Sequence, residues 1–347
     1  MSQRCLLCGD PQQPSEYMYE SATFLESHGV EFERVDWHEG RSAAAFRDVT
    51  MDMEERGPSD YDADELLAAL EGSDVEFLVV HKAPVSRELF ESADSLAVVG
   101  AARGGTENVD LEAAADHGVT VLHAPGRNAN AVADYAVSIA CAVHRRIPHF
   151  VETTGRGEWA LEFDPDGLPR DLENLTVGIV GFGNVGRLVA ERWAGFGPDL
   201  LAFDPYVEDE IARDHGAEPT TLEELLEASD VVTVHARLTE ETHHVIGADE
   251  LERMGEHALL VNTARGGLID TDALVSELES GAIGGAALDV FEEEPLPEEH
   301  PLLDLENAWL TPHTAGSTRD AVRKGSRIVA EDLERILEGE EPHHRVV

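Results

Sequence analysis

Apolar and polar positions alternate along this chain in two successive series of short apolar runs separated by acidic stretches. In the first third the runs are CLLCG, FERVDW, FLVVHK, LAVVGAA and VTVLHA. Each is short, largely apolar and bounded by turn formers, so each predicts a strand. Between them, ADELLAALEG and VDLEAAADHG space their apolar residues helically and close on glycine, which predicts helices. Strand and helix in alternation predict a parallel sheet covered on both faces. The acidic stretch from His38 to Asp64 has few apolar residues and is expected to be a surface excursion. From Asn128 the segment NANAVADYAVSIACAVHRRI is small and apolar on almost every side. That predicts a helix buried between domains or between subunits.

A second series starts at Leu175: LTVGIVG, LLAFD, VVTVH, ALLVNT, GAALDV and AWLTPH, with helical patterns such as TLEELLEASD and TDALVSELESG between. Six strands with helical crossovers predict a Rossmann sheet. The last segment aligns Val322, Ile328, Val329, Leu333, Ile336 and Leu337 on one helical face, which needs something to pack on.

Charge narrows the possible functions. The chain has 347 residues, of which 71 are Asp or Glu and 25 are Lys or Arg, for a formal net charge of −46. Its 42% hydrophobic content is enough for real cores, so this charge does not imply disorder. It excludes nucleic acid and anionic membranes as partners. Lys82 and Lys324 are the only lysines, and an acid-rich, lysine-poor chain resembles halophile proteins. At molar salt the Debye length falls to roughly 3 Å, which screens the self-repulsion. Cys5 and Cys8 have the spacing of a metal knuckle, but on a strand they face opposite ways, and no second ligand pair stands at matching spacing. No metal site is expected. With Cys141 they make three free cysteines, which suit a reducing cytoplasm. The apolar run after Arg4 is too short for a signal peptide, and no segment is long enough to span a membrane.

The chemistry begins at TVGIVGFGNVGRLVA, where Gly181, Gly183 and Gly186 form G-x-G-x-x-G between an apolar run and a helix. The first glycine permits the tight turn, the second lets backbone approach a pyrophosphate, and the third lets helix and strand pack closely. The helix N-terminus then faces the phosphates. Asp204 ends the next strand, where a carboxylate accepts hydrogen bonds from a ribose diol and repels a 2′-phosphate, so NAD is expected over NADP. In an open parallel sheet, ligands sit beyond the carboxyl ends of the strands. The polar residues at those ends are Asp204, His235, Arg265, Asp289 and His313.

VNTARGGLID, ALDVFEEEPL, TPHTAGST, the glycine motif and PGRNANAVADYAV together resemble the D-isomer-specific 2-hydroxyacid dehydrogenases, over about Phe77 to Ile336. The resemblance implies that Arg265 binds substrate, Glu294 pairs with a histidine and His313 is the acid/base. It leaves Glu292, Glu293, Glu298 and Glu299 as solvated acids. It extends the cofactor contacts to Asn184 and Val185 beside the glycines, and to His235, Thr263 and Gly316, and it matches Asp289 to the residue that holds the nicotinamide carboxamide. Gly104 and Gly105 match the loop whose amides meet the substrate carboxylate, and Asn128 matches an asparagine facing the cleft. These roles are chemically apt. A histidine titrates near pH ~6.5, an adjacent carboxylate favours its charged form and fixes its tautomer, and a guanidinium fork fits a keto oxygen and carboxylate. Two residues depart from the pattern: Arg237 after the VVTVH strand, and Arg103 directly before the carboxylate loop. Arg103 either contacts substrate or forms a salt bridge to Glu107 or Asp110.

The resemblance further implies an NAD-binding Rossmann domain over 125–316 and a smaller, split, flavodoxin-like substrate-binding domain over 1–124 and 317–347. Hinges would lie near Pro125 and Ala315, and the helix from Asn130 would form a homodimer interface. The expected function is hydride transfer between NAD(H) and a small 2-keto or D-2-hydroxy acid. The alternatives are a phosphoglycerate-dehydrogenase-type enzyme and an NADH-sensing protein that does not catalyse.

Overall fold

Branched, apolar runs form strands where both faces can be buried, and both sheets of this protein meet that condition. The computed structural model describes residues 3–38, 40–159 and 168–347. The chain divides into two compact units, residues 1–128 with 318–347, and residues 129–317.

In the first unit, strands β1 (Gln3–Gly9), β2 (Val30–Asp36), β3 (Val75–Val80), β4 (Val98–Ala101) and β5 (Thr120–His123) form a parallel sheet of order β2-β1-β3-β4-β5. Each face carries its own core. Cys5 packs with Met18, Leu25 and Val329 on one side, and Cys8 with Trp37, Phe46 and Leu66 on the other. The period of two along β1 thus separates the two thiols.

The stretch after His38 departs from expectation. It forms the helix Ala43–Arg56, which buries Phe46 and Met53 completely and half-buries Val49. Three apolar residues, spaced 3 and then 4 apart, make a sufficient stripe in a helix whose remaining face is mostly polar. Trp37 is also buried, and its indole N–H donates to the Asp62 carbonyl at 2.8 Å.

The helix Arg319–Leu337 belongs to this unit, and its apolar face covers the Cys5 side of the sheet through Val329, Ala330 and Leu333. It lies so close to β4 that a Cβ at Gly325 would stand 2.2 Å from the Ala102 carbonyl oxygen. Residues after the helix then pair antiparallel with β5, Leu122 opposite Arg345, which covers that edge.

The second unit holds β6 (Thr176–Val180), β7 (Asp199–Phe203), β8 (Glu218–Pro219), β9 (Val231–Val234), β10 (Leu259–Asn262), β11 (Gly285–Leu288) and β12 (Ala308–Leu310). They form one parallel sheet of order β12-β11-β10-β9-β6-β7-β8. This is a Rossmann arrangement, with seven strands where the apolar runs predicted six. The additional one, β8, has two residues and almost no apolar signal. The VVTVH run is therefore β9, the fourth strand of the series, and it lies directly beside β6. Strand order reverses between β7 and β9 at β6, and such a switch point opens a crevice at the carboxyl edge.

The helix Ala129–His144 packs against the helix Asn184–Ala194, burying Ala133, Ala136, Val137, Ala140 and Val143. Within the unit it is buried on one side only. Val132, Ile139 and Cys141 remain half-buried, and Asn130, Asp134 and Ser138 are exposed. Among the described residues no helix is long and apolar enough to cross a membrane.

Candidate active site

The glycine loop joins β6 to the helix Asn184–Ala194, and its three glycines are required for three different reasons. Gly181 has φ of +91°, and a Cβ there would lie 2.5 Å from the Ala236 amide nitrogen. A Cβ at Gly186 would lie 2.2 Å from the Gly181 carbonyl oxygen, so the helix can approach the strand only without one. At Gly183 a Cβ would meet no protein atom within 4 Å. The space in front of Gly183 is open, and the amides of the helix start, at Asn184 and Val185, are adjacent to it.

Asp204 follows β7. One carboxylate oxygen accepts from the Phe182 amide at 2.7 Å and the other from the Tyr206 amide at 2.9 Å. Each oxygen retains a lone pair for a further donor. Asp204 lines an open groove of about 400 Å³ together with Phe182, Phe203, Pro205, Val207 and Thr220.

His235 ends β9. Its Nε2 lies 2.8 Å from the Thr233 hydroxyl, while its Nδ1 is buried without a partner. Burial pushes its pKa down to about 3, so the ring is neutral. The buried Thr263 hydroxyl, just past β10, also lacks a partner. An amide-and-hydroxyl ligand along this edge would satisfy both groups, and the open space at Gly183 admits a diphosphate. The residues therefore fit a dinucleotide.

The loop after β10 carries Arg265, and Asn262 shapes it. Asn262 is buried, donates from Nδ2 to the Arg265 carbonyl at 2.8 Å and accepts from the Ala264 amide at 3.0 Å. Beyond Arg265 the backbone passes so close to the loop after β11 that a Cβ at Gly266 would stand 1.9 Å from the Phe291 carbonyl carbon. Glu294 lies on that second loop. Its Oε1 accepts from the Phe291 amide at 3.0 Å, and its Oε2 lies 2.7 Å from Nδ1 of His313. Burial alone would raise the Glu294 pKa. The hydrogen bonds from His313 and Phe291, and the charges of His313 and Arg265, outweigh it and hold the carboxyl below its usual range. The fold thus brings Arg265, Glu294 and His313 together within one unit.

Asp289, matched to the residue that holds the nicotinamide carboxamide, also has a structural task. It is fully buried, and its carboxylate accepts from the Thr311 hydroxyl at 2.6 Å, the Thr314 amide at 3.0 Å and the Ala315 amide at 2.7 Å. These bonds pin the turn that presents His313, whose φ of +49° is costly for a residue with a side chain. Asp289 acts as a brace. Gly316, half-buried, follows in the same turn. Glu292 departs from expectation. It is not merely solvated, because its Oε1 lies 2.5 Å from His244 Nε2, and hydrogen bonds from His244 and Thr271 overcome its desolvation to keep its pKa low.

In the first unit, Arg103 Nη2 lies 3.3 Å from a Glu107 carboxylate oxygen. Asp110, the other possible partner, instead caps the helix Leu111–Asp116 through the Ala113 amide at 2.8 Å. His123 bonds the Gly104 carbonyl at 2.9 Å, and a Cβ at Gly105 would collide with the Glu107 carboxylate. Asn128 is half-buried. Arg127 was not singled out by sequence reasoning. It is largely buried, and burial, followed by the charge of Arg103, lowers its pKa against the opposing pull of Asp10. Asp10 and His81 form a buried pair at 2.8 Å. The Asp10 carboxylate also accepts from the Gln12, Gln13 and Lys82 amides, so it stays ionised beside a neutral imidazole. No sequence motif marks that pair, because its two members lie 71 residues apart.

A family model, the NAD binding domain of D-isomer specific 2-hydroxyacid dehydrogenases, matches residues 137–315. The D-3-phosphoglycerate dehydrogenase of Methanocaldococcus jannaschii is 39% identical over 279 residues, 80% of this chain and 52% of that protein. The glyoxylate reductase of Korarchaeum cryptofilum is 39% identical over 264 residues, 76% of this chain and 80% of its own length. The chain therefore spans about half the length of the phosphoglycerate dehydrogenase and most of the reductase. Among solved structures, the TT0316 protein of Thermus thermophilus is 33% identical with a TM-score of 0.72, covering 99% of this chain and 100% of that one. The apo-structure of D-lactate dehydrogenase from Escherichia coli is 26% identical with a TM-score of 0.74, with the same coverage.

Proposed function

Because the chain belongs to the D-isomer-specific 2-hydroxyacid dehydrogenase family, we propose that it transfers a hydride between NAD(H) and a small 2-keto or D-2-hydroxy acid. The observation that carries this reading is the 2.7 Å contact of His313 with Glu294, within the electrostatic reach of Arg265, at the edge where the dinucleotide loop lies. When bound, the nicotinamide supplies or accepts the hydride. Gly181, Gly183, Asn184, Val185 and Gly186 hold the diphosphate, Asp204 holds the adenosine ribose, and His235, Thr263 and Gly316 line the remaining length. Arg265 holds the keto oxygen and the adjacent carboxylate in its planar fork. His313, with Nδ1 committed to Glu294, works through Nε2, giving a proton to the nascent alkoxide in reduction and removing it in oxidation. Glu294 stays ionised, fixes that tautomer and stabilises the charged ring.

In the same reading, residues 125–316 bind NAD, while 1–124 and 317–347 bind substrate, with Gly104 and Gly105 offering amides to the carboxylate and Asn128 close by. Acidic lining of the adenosine groove, with Glu208 and Glu224 besides Asp204, supports NAD over NADP. The half-buried face of the helix Ala129–His144 supports a homodimer through that helix. The composition supports a cytoplasmic, salt-adapted protein.

A phosphoglycerate-dehydrogenase-type activity is the second reading, favoured by the proximity of two guanidiniums, Arg103 and Arg127, in so acidic a chain. NADH oxidation with a panel of 2-keto acids tests both readings. Rapid turnover of glyoxylate, pyruvate or hydroxypyruvate supports the first, and preference for a phosphorylated keto acid supports the second. Slow turnover of every member would leave a nucleotide-sensing role.

A further inference from the structure

Three loops at the carboxyl edge of the second sheet meet at a group of side chains to which the proposed reaction assigns no task. The loop after β9 contributes His243 and His244, the loop after β10 leads to Asp270, and the loop after β11 contributes Glu292. Potential ligand atoms of His243, His244 and Glu292 all lie within 4.8 Å of one another. The two rings lie side by side, with centroids 3.9 Å apart. His244 Nε2 faces Glu292 Oε1 at 2.5 Å, and its Nδ1 faces Asp270 Oδ2 at 3.9 Å.

The arrangement is held from several directions. The His244 amide donates to the Gly267 carbonyl at 2.8 Å, and the residue adopts φ of +53°, a conformation that residues with a side chain rarely take. Asp270 Oδ1 caps the helix Thr271–Ser280 through the Ala273 amide at 3.0 Å, so its other oxygen is fixed towards the imidazole. With one nitrogen at a ligand cluster and the other 3.9 Å from an anchored carboxylate, the imidazole is a small side-chain shift from the outer-shell hydrogen bond of metal-binding histidines.

We propose that His243, His244 and Glu292 bind one divalent transition-metal ion, with Asp270 orienting His244 from behind. Two imidazoles and one carboxylate select zinc, cobalt or nickel over magnesium and calcium, which prefer all-oxygen ligands. Three protein donors leave a fourth position for water. All three residues are exposed or half-buried, so the ion has a path in from solvent. Bound there, the ion ties together the loops that carry Arg265 and Glu294. It stabilises the folded state by mass action and takes no part in hydride transfer.

A chain of charge −46 attracts cations generally, so the test must separate a built site from this background. Full-length protein, stripped with chelator, is dialysed against Zn²⁺ in molar KCl with excess Mg²⁺, and bound zinc is counted per chain. One tightly held ion per chain is expected, lost in His243→Ala and in Glu292→Gln, and weakened roughly 10- to 100-fold in Asp270→Asn. Co²⁺ should give the visible absorption of a four- or five-coordinate site in the parent and not in His243→Ala. Since His243 is exposed, that variant should keep its thermal transition, and His243→Gln serves if it does not. Zinc binding that survives these substitutions, or is lost instead in His343→Ala/His344→Ala, the other adjacent histidine pair, would overturn the proposal. So would an absence of zinc binding in the parent.

Discussion

His313 and Glu294 are the residues whose loss should be most visible. His313→Gln should lower kcat by roughly 10²- to 10⁴-fold, the usual worth of general acid catalysis, while NADH binding measured by fluorescence stays nearly unchanged. Retention of more than about a tenth of kcat would remove His313 from the role. Glu294→Gln tests the pairing, because the carboxylate holds His313 Nδ1 at 2.7 Å and fixes the tautomer of the ring. Without it kcat should fall at least several-fold while NADH binding stays nearly unchanged. An unchanged kcat would assign the partnership elsewhere. Glu292→Gln is a less neutral control than its neighbours, because Glu292 holds His244, whereas Glu293→Gln meets no such bond. Arg103 belongs to the same scale. If it reads a second anionic group, Arg103→Ala should cost about 10- to 150-fold in kcat/KM with a phosphorylated or dicarboxylic keto acid and much less with glyoxylate, the worth of one hydrogen bond to a charged group. Equal losses on both would place its effect on the loop held by Glu107.

Elements were legible where periodicity and length agreed. The glycine loop illustrates this best, and it gives a paired prediction. A Cβ at Gly183 meets no protein atom, so Gly183→Ala should keep the parent's unfolding midpoint while weakening NADH at least several-fold. A Cβ at Gly186 collides with the Gly181 carbonyl, so Gly186→Ala should cost about 1–3 kcal/mol in denaturant unfolding. Comparable stability losses in both would mean that Gly183 serves packing rather than a ligand. The central strands could be read because they are buried on both faces and therefore continuously apolar, as in β9, β10 and β11. The two-residue β8 could not, since a sheet neighbour can hold a strand with no apolar signal of its own. The helix Ala43–Arg56 was hidden by composition, its stripe of three residues outweighed to the eye by acids. The candidate site residues stand out in the sequence as strand ends and by resemblance, and the fold brings Arg265, Glu294 and His313 together. Their supports do not stand out: Asn262, the bracing role of Asp289 and the buried Asp10–His81 pair act through bonds that only the folded backbone creates.

At the scale of the whole molecule, the net charge of −46 sets the conditions under which the site exists. Salt weakens both attractions and repulsions, so the sign of its effect depends on which are more numerous. Ion pairs such as Arg253 with Glu223 and Glu227 lie on the surface, where each contributes only about 0–1 kcal/mol. Acids outnumber bases 71 to 25, so most carboxylates cannot be matched one-to-one with a Lys or Arg. Repulsion therefore dominates, and raising KCl from about 0.1 M to about 1 M shortens its reach from about 10 Å to about 3 Å. The unfolding midpoint should rise with KCl over this range, whereas an uncharged osmolyte of equal osmolality should give a smaller rise. Neutralising exposed acids by Glu→Gln away from the site should raise stability in low salt and lose that benefit in high salt. The proposed catalytic pair should respond differently: half-buried Glu294 touches the exposed His313 at 2.7 Å, well inside the screening length, so salt weakens this contact less than it weakens the longer-range surface repulsions. Turnover per folded molecule at saturating substrate should therefore stay nearly constant while the folded fraction climbs. A midpoint that does not move between low and molar KCl would mean that the acids lie too far apart to repel, and the surface charge would then need another explanation.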